Sequence, residues 1–235
     1  MRFGIVITTY QRKDGKTPDL LKRALDSIFN QTHKDFKVFV IGDKYEDSDE
    51  FENIIRPYGE EKLYSENLPF AAERDKYTDP KIIWNYGGCY ANNYGIEKSI
   101  SEGYSFVCHL DHDDWWYENH LEEINKCVEI NQASFVYTSA TYGSSHNYLP
   151  KLGGNKYNFS IPEPCKLIHS STAMDFSKIN LRHENVYERD GGIGHAGDAD
   201  FWKRVGKFIV ENNLKSFHIN LMTCRHDEEG YIKQA

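Results

Sequence analysis

A dense group of carboxylates follows the largely apolar segment 106–110, with Asp111, His112, Asp113 and Asp114 in consecutive positions. The apolar segment predicts a buried strand, and Asp111 and Asp113 would point the same way because side chains alternate along extended backbone. Like charges at this density repel one another, and a divalent cation would offset that repulsion. Two oxygen ligands one residue apart suit Mg²⁺ or Mn²⁺. The alternative is a solvated acidic turn.

Two predicted strands with a helix between them place further polar residues beside this group. Residues 3–7 and 36–41 are largely apolar and predict two strands. Between them, Thr17 as a cap, Pro18 and Asp19 predict the beginning of a helix, and apolar residues then recur at helical spacing. A strand–helix–strand unit predicts parallel strands with a right-handed crossover, and ligands bind beyond the carboxyl ends of such strands. The residues expected along this rim are Thr8, Thr9, Tyr10, Asp43 and the group that begins at Asp111.

The remaining pattern predicts one domain over residues 1–235. Helices are expected at about 88–100 and 118–131, and further strands at 135–138 and 217–223. Residues 68–86 are predicted to form a surface excursion with a short helix at 71–76, since a structureless loop of that length is unusual. The other expected segments are a short capped helix at 47–55, an edge strand at 62–65, a turn-rich excursion at 141–164, a segment at 167–176 that returns to the sheet or lines the site, and a glycine-dense loop at 191–197 before a helix.

The composition argues against several classes of partner. The chain has 28 basic and 36 acidic residues and a net charge of -8, so neither a nucleic acid nor an anionic membrane is expected as its main partner. Five widely spaced cysteines without a CxxC motif favour a reducing compartment over a disulfide framework or a zinc site. The first residues lack a signal-peptide pattern and no apolar run approaches the length of a membrane span, so a cytoplasmic protein is expected.

Five segments resemble, in the same order along the chain, the motifs of the family 2 glycosyltransferases of GT-A fold. The first is residues 5–12 with the helix and strand that follow, and the second is residues 88–96. The third, Asp111–x–Asp113, is similar to the aspartate–any–aspartate (DXD) metal motif of the family. The fourth is residues 197–204, and the last is Cys224-Arg225-His226, which resembles the closing Arg–x–His element of the family. Each motif is weak alone, but five in sequence are specific.

This resemblance implies an α/β fold of GT-A type, with a Rossmann-like, mostly parallel central sheet flanked by helices. It implies a nucleotide-sugar-binding part at about 1–116 and an acceptor and catalytic part at about 117–235. The implied activity is a metal-dependent, inverting transfer of a sugar from a nucleoside diphosphate sugar, with UDP as the nucleotide that the family most often uses. Mn²⁺ or Mg²⁺ would be the cofactor, and a saccharide or another hydroxyl compound would be the acceptor.

For the nucleotide, the resemblance implies contacts from the rim residues. The middle motif of the family commonly has arginine where this chain has Asn92, so a basic phosphate contact would be lost there or supplied by Arg12, Arg74 or Lys81. The residues expected to bind the nucleotide sugar are Thr8, Thr9, Tyr10, Arg12, Asp43, Asn92, Asp111 and His112.

For the chemistry, the resemblance implies that Asp113 binds the metal, with Asp111 beside it holding the ribose or a metal-bound water. His226 would contact the metal or a phosphate, which gives Asp111, Asp113 and His226 as the expected metal residues. Asp198 would deprotonate the acceptor hydroxyl. Without the resemblance, Asp198 and Asp200 would only stabilise the positive end of a helix dipole, and His226 would be a solvated histidine.

Three other activities compete with this interpretation. A metallophosphoesterase is suggested by Asp and His residues in glycine-rich surroundings, but the first strand carries no Asp–x–His pair. A nucleotidyltransferase would normally carry a glycine-rich basic loop after the first strand, and residues 8–12 do not form one. A binding module without catalysis is opposed by the presence of both Asp113 and Asp198.

Overall fold

Strands and helices alternate along the first half of the chain, as the apolar patterns require. The computed structural model describes residues 1–142, 147–190 and 197–226. Its first four strands are β1 (Phe3–Thr9), β2 (Phe36–Gly42), β3 (Leu63–Asn67) and β4 (Phe106–His109). They pair in the order β3-β2-β1-β4 and are all parallel, with β3 at the edge, as predicted for residues 62–65.

The second half of the chain extends the same sheet. Strand β9 (Thr172–Asp175) lies antiparallel between β4 and β6 (Phe135–Tyr142), and β10 (Ser216–His226) follows β6 in parallel. The short β5 (Trp115–Trp116) pairs with the end of β10. Most neighbouring strands along this path are parallel, so the predicted α/β fold with a mostly parallel central sheet is confirmed. Two further short strands are β7 (Asn147–Leu149), beside β6, and β8 (Tyr157–Phe159), beside β10.

Helices cover both faces of the sheet, and alternate residues of β1 pack into the two layers. The helices are α1 (Thr17–Phe29), α2 (Ser48–Ile55), α3 (Pro80–Tyr86), α4 (Cys89–Ser101), α5 (His120–Asn131), α6 (Val186–Asp190) and α7 (Gly197–Glu211). Ile5 and Ile7 join a core with α1 and α5, whereas Val6 joins a core with α4 and α7. This alternation is the period of two expected for a strand that is buried on both faces.

Gly95 lets α4 approach the sheet closely. A Cβ atom at this position would lie 2.6 Å from Cγ1 of Val6 and 3.1 Å from Cγ1 of Ile41, which is too short for ordinary packing. The close approach brings the beginning of α4 to the carboxyl end of β1. The predicted rim therefore depends on the close packing of α4 against the sheet as well as on the ends of the strands.

The short helix of the excursion 68–86 is α3, so the prediction of a helix at 71–76 is wrong; residues 72–76 form turns. Asp79 explains the shift, because its side chain caps α3 by accepting a hydrogen bond from the backbone N–H of Lys81 at 2.8 Å. In contrast, α2 has the predicted cap, with Asp47 accepting from the backbone N–H of Glu50.

Two predicted helix and strand ends also differ from the structure. Thr17 does not cap α1: Lys16 precedes the helix, and the Thr17 hydroxyl accepts a hydrogen bond from the backbone N–H of Arg12 at 2.9 Å. The last strand continues to His226 instead of ending at 223, because residues 224–226 pair with β5 and β6. Cys224 is therefore fully buried.

Residues 143–146 of the turn-rich excursion and residues 191–196 of the glycine-dense loop lie outside the described residues. Across the described ranges, no helix combines the length and the apolar character needed to cross a membrane.

Candidate active site

The acidic group after β4 is held in a tight turn by Ser170. The backbone N–H of Asp114 donates to the carbonyl of Asp111 at 3.0 Å, and the backbone N–H of Asp111 donates to the Ser170 hydroxyl oxygen at 3.0 Å. Ser170 in turn donates to the Asp114 carboxylate. Asp113 and Asp114 are buried. The serine thus fixes both ends of the turn and keeps the three carboxylates together.

The negative charge of this group is only partly compensated. Burial, together with the charges of Asp114 and Asp113, raises the pKa of Asp111 well above its usual value. His226, at the end of β10, has its Nδ1 3.0 Å from Oδ1 of Asp114. Burial lowers the pKa of His226, but the hydrogen bond with Asp114 and its charge outweigh burial and raise that pKa to about 9. A divalent cation would relieve the same repulsion, so these oxygen and nitrogen donors fit the predicted metal.

Arg12 is buried against the acidic group. Its Nη1 donates to Oδ2 of Asp113 at 3.2 Å, and its Nε and Nη2 donate to the two carboxylate oxygens of Asp14 at 3.2 and 2.9 Å. Arg12 is 7% exposed. The guanidinium therefore neutralises part of the charge on Asp113, although the sequence suggests Arg12 as a phosphate contact.

Arg74 joins two of the predicted nucleotide-binding residues, Tyr10 and Asp43. Asp43 is 2% exposed, and Nε of Arg74 donates to its Oδ2 at 2.9 Å. Burial raises the pKa of Asp43, and the pairing with Arg74 opposes this. The same guanidinium lies 5.0 Å from the centroid of the Tyr10 ring, and the His112 ring meets Tyr10 edge-on at 5.5 Å. A carboxylate, a guanidinium and an exposed aromatic ring can together recognise a nucleobase.

The other rim residues surround the beginning of α4. Nδ2 of Asn92 donates to the Thr8 hydroxyl at 3.4 Å and to the carbonyl of Gly88 at 3.2 Å. Gly88 has a φ of 81°, a left-handed conformation that favours glycine. Thr9 is buried, and its hydroxyl has no hydrogen-bond partner among the described residues. Thr8 and Asn92 are therefore brought together, whereas Thr9 lies inside the sheet.

The two aspartates at the beginning of α7 have different surroundings. Asp200 is 8% exposed and pairs with Arg189 at 3.0 Å and with Arg204 at 2.8 Å. Burial raises the pKa of Asp200, but these partners outweigh burial and lower it. Asp198 is exposed, and its charge adds to the raised pKa of Asp111, of which burial is the main cause. Asp198 therefore lies within electrostatic reach of the acidic group, while Asp200 is held by two arginines.

Three buried histidines, His109, His169 and His183, lie next to the acidic group and are called the histidine cluster below. The ring centroids of His109 and His169 are 4.5 Å apart, and those of His169 and His183 are 5.4 Å apart. Burial lowers the pKa of all three, that of His169 to about 4 although Asp198 and Asp114 oppose the shift. The cluster is thus a neutral layer at neutral pH, next to the charged site.

Sequence reasoning did not identify Ser170 or the histidine cluster, and it considered Arg74 only as a phosphate contact. The signal for Ser170 was the polar run 169–172 inside the segment 167–176, which was expected to return to the sheet or to line the site, because buried polar residues need hydrogen-bond partners. Arg74 and Asp43 are 31 residues apart in sequence, and nothing in their local patterns predicts that they meet.

Comparison with known protein sequences gives matches over most of the chain. The profile described as glycosyl transferase family 2 matches residues 4–183. A protein of Acanthamoeba polyphaga mimivirus, named as an uncharacterized glycosyltransferase, is 36% identical over 244 aligned residues, which cover 99% of this chain and 96% of that protein. A protein of Rickettsia felis with the same description is 30% identical, and the match covers 91% of this chain but 33% of that protein. The chain thus spans nearly all of one relative and about a third of the other.

Solved structures share the fold at low sequence identity. S. aureus TarS in complex with UDP matches with a TM-score of 0.70 at 12% identity, covering 97% of this chain and 60% of that chain. The mannosyltransferase PcManGT from Pyrobaculum calidifontis in complex with GDP-Man and Mn²⁺ matches with a TM-score of 0.58 at 13% identity, covering 98% of this chain and 58% of that chain. These neighbours are GT-A glycosyltransferases, so the predicted GT-A architecture is confirmed.

Proposed function

The chain belongs to glycosyl transferase family 2, and we propose that it moves a sugar from a nucleoside diphosphate donor to a hydroxyl group, with inversion and with a divalent metal. A UDP-sugar is the favoured donor and a saccharide the favoured acceptor. The observation that carries the proposal is the turn after β4, where Ser170 and Arg12 hold three carboxylates together at the carboxyl end of the strand, with the charge of Asp198 acting on Asp111. Family membership sets aside the metallophosphoesterase and nucleotidyltransferase alternatives.

The proposed division of labour follows the predicted parts of the chain. Residues 1–116 supply the nucleotide pocket and the acidic group, and residues 117–235 supply the acceptor side and the base. The two parts form one domain. The pairing of β4 with β9 and the hydrogen bonds of Ser170 support this reading, because the second part helps to shape the nucleotide end of the first.

For the donor, we assign base recognition to Asp43, Arg74 and Tyr10. A carboxylate accepts a hydrogen bond from a ring N–H, a guanidinium donates to a carbonyl, and uracil offers both groups on one edge. Guanine also offers both, and the solved neighbours were obtained with UDP and with GDP-Man. Thr8 and Asn92, beside the left-handed Gly88, are assigned to the ribose and phosphates, with Arg12 balancing charge behind them.

For the metal, Asp111, Asp113 and His226 are the residues that would hold Mn²⁺ or Mg²⁺. When bound, the ion would offset the charge that develops on the diphosphate leaving group. The 3.0 Å approach of Nδ1 of His226 to Oδ1 of Asp114 supports this assignment, because it brings the end of β10 to the turn that carries Asp111 and Asp113. Ser170 is a positioning residue, since it holds the turn that carries these ligands.

For the transfer itself, the acceptor oxygen would form a bond to the anomeric carbon while the bond from that carbon to the diphosphate oxygen breaks. The electron pair of the broken bond leaves with the nucleoside diphosphate, and the acceptor proton moves to the Asp198 carboxylate. The contrast between the exposed Asp198 and the doubly paired Asp200 supports Asp198 as the base. A single displacement of this kind inverts the anomeric centre.

The proposal is tested by thermal unfolding with UDP, GDP, CDP, dTDP and ADP, each with and without Mn²⁺, on the native chain and on Asp113→Ala. A nucleotide at a hundredfold excess over its dissociation constant should raise the midpoint by roughly 5–10 °C. A Mn²⁺-dependent shift with one nucleotide that is absent in Asp113→Ala would support the metal site and identify the base. A shift that is the same without Mn²⁺ would contradict the metal dependence.

For the compartment, all five cysteines are unpaired thiols, and four of them are buried. Unpaired thiols persist in reducing surroundings, which supports the expected cytoplasmic location.

A further inference from the structure

The histidine cluster has no part in the proposed transfer. Its members come from three elements: His109 ends β4, His169 begins the short 3-10 turn His169–Ser171, and His183 lies between β9 and α6. Their exposed fractions are 0%, 8% and 6%. Each ring offers a nitrogen such that the three nitrogens lie within 4.8 Å of one another.

The cluster contains ring nitrogens that are not satisfied. Nε2 of His109, Nδ1 of His169 and Nε2 of His183 have no hydrogen-bond partner among the described residues. Buried polar atoms without partners are destabilising and rare in folded proteins. One metal ion that accepts a lone pair from each ring would satisfy all three nitrogens at once.

We propose that the histidine cluster binds a divalent transition-metal ion of the Zn²⁺ type. Imidazole nitrogen suits Zn²⁺, whereas Mg²⁺ and Mn²⁺ prefer oxygen ligands, so the cluster differs in chemistry from the carboxylate site. Nitrogens that lie about 2.0–2.1 Å from a tetrahedral Zn²⁺ are about 3.4 Å from one another. The three histidine nitrogens lie within 4.8 Å of one another, so each distance between them needs to shorten by no more than about 1.4 Å.

The surroundings of two of the histidines favour such an ion. Oγ1 of Thr172 lies 3.5 Å from Nδ1 of His109, and a contact of this kind on the second ring nitrogen orients a ligating imidazole. The negative charges of Asp114 and Asp198 act on His169 and attract a cation. The site thus has an orienting contact and compensating charge.

The positive charges near His183 are themselves paired. Arg182 and Arg204 act on His183 and would repel a cation. Arg182, however, pairs with Glu97 at 2.7 Å, and Arg204 pairs with Asp200 at 2.8 Å. The two ion pairs therefore reduce the repulsion that Arg182 and Arg204 would exert on a cation in the cluster.

An ion in the cluster would tie together the elements that position the active site. His109 lies just before the acidic group, and His169 precedes Ser170. His183 stacks on Phe201 of α7 with centroids 4.0 Å apart, and its backbone N–H donates to Oδ1 of Asn93 in α4. The ion is structural, and this inference does not depend on the metal requirement of the transfer.

The test uses the full chain, stripped with a chelator and then dialysed against Zn²⁺. The native chain should retain one Zn²⁺ per molecule by mass spectrometry, and its unfolding midpoint should rise by roughly 5–10 °C at a hundredfold excess over the dissociation constant. His183→Phe keeps an aromatic ring against Phe201 but removes the ligand, so it should lose both the ion and the shift. His120→Phe, which changes a buried histidine outside the cluster, and Asp113→Asn, which alters the carboxylate site, should keep both.

Retention of Zn²⁺ by His183→Phe, or failure of the native chain to retain it, would overturn the proposal. If His183→Phe does not fold, zinc-edge X-ray absorption of the loaded Asp113→Asn chain decides the question. Imidazole ligation by three rings supports the cluster, and coordination dominated by oxygen refutes it.

Discussion

The guanidinium of Arg12 lies 3.2 Å from the carboxylate of Asp113, a residue 101 positions later in the chain. The side chains of Arg12 and Asp113 are 6% and 10% exposed, so this is a buried ion pair. It places a permanent positive charge beside a proposed metal ligand. Arg12 is thus a permanent counter-charge of the acidic group beside the His226 ring on Asp114, and a bound metal would add further positive charge.

Arg12→Gln should destabilise the metal-free protein more than the metal-bound one. Removing one partner of a buried pair leaves the other charge uncompensated, at roughly 3 kcal/mol or more. Mn²⁺ with the preferred nucleotide should recover part of that loss, so the Mn²⁺-dependent rise of the unfolding midpoint should be larger than in the native chain. Lys22→Gln, which breaks the exposed pair of Lys22 with Asp26, is the matched control with little effect. An equal rise in Arg12→Gln and the native chain would contradict the prediction.

Asp198→Asn and Asp200→Asn should fail in different ways. Asp198→Asn should lower kcat by about 10²–10⁴ while leaving nucleotide binding and the unfolding midpoint nearly unchanged, because it removes a base from an exposed position. Asp200→Asn should lower stability by roughly 3 kcal/mol, because Arg189 and Arg204 lose a buried partner. Initial rates, nucleotide titration and thermal unfolding of both variants separate the two effects. Undiminished transfer by Asp198→Asn would rule out the base.

Arg74→Ala should weaken nucleotide binding by about 10- to 100-fold, the effect of one charge-assisted hydrogen bond. It also leaves the buried Asp43 without its partner. The change should appear mainly in the KM for the donor, since Arg74 is assigned to binding and not to the reacting atoms. The neighbouring Lys44→Ala, which removes an exposed pair with Asp75, should leave KM unchanged. A lower kcat at constant KM would argue against base recognition by Arg74.

Glu73→Gln should stabilise the protein at high pH but not at low pH. Burial is the main cause that raises the pKa of Glu73 from 4.5 to about 7, although the backbone N–H of Tyr90 donates to its Oε1 at 3.1 Å. The folded state therefore holds a proton that the unfolded state releases, so stability falls as pH rises from about 4.5 to about 7. The full loss, present above about pH 7, is about 3 kcal/mol.

The measurement is the difference in unfolding midpoint between Glu73→Gln and the native chain from pH 5 to pH 8.5. The difference should grow across this interval and level off above neutral pH. The exposed Glu61→Gln is the control for loss of a carboxylate. A difference that is constant with pH would show that Glu73 does not carry a raised pKa.

The parallel pairing of β1 with β2 and the position of the rim residues were predictable because they depend on local apolar runs and on general rules for parallel sheets. The apolar run at residues 3–7 predicts β1, and the end of β1 predicts where Thr8 and Tyr10 lie. The acidic motif could be located for the same reason, since it begins where β4 ends.

The partners of these residues were not predictable, because they depend on contacts between distant segments. Nothing in the sequence around Arg12 shows that it pairs with Asp113. The helix of the excursion was predicted at 71–76 because those residues favour a helix by composition, whereas the helix in the structure begins after the cap at Asp79. Ser170 acts through two hydrogen bonds to a turn 56 and 59 residues away. Side-chain hydrogen bonds of this range follow from the tertiary fold.

The register of β10 has a consequence for folding kinetics. His226 meets Asp114 across 112 residues of chain, and strand β10 joins β6 and β5 in the same register that brings His226 there. Contacts at such sequence separation form slowly, because the entropy of closing a long loop is lost before the contacts stabilise it. The pairing of β1 with β2 through α1 closes a much shorter loop, since Phe3 pairs with Phe36. We therefore expect ligand-binding competence to appear late in refolding, after most helical signal has returned.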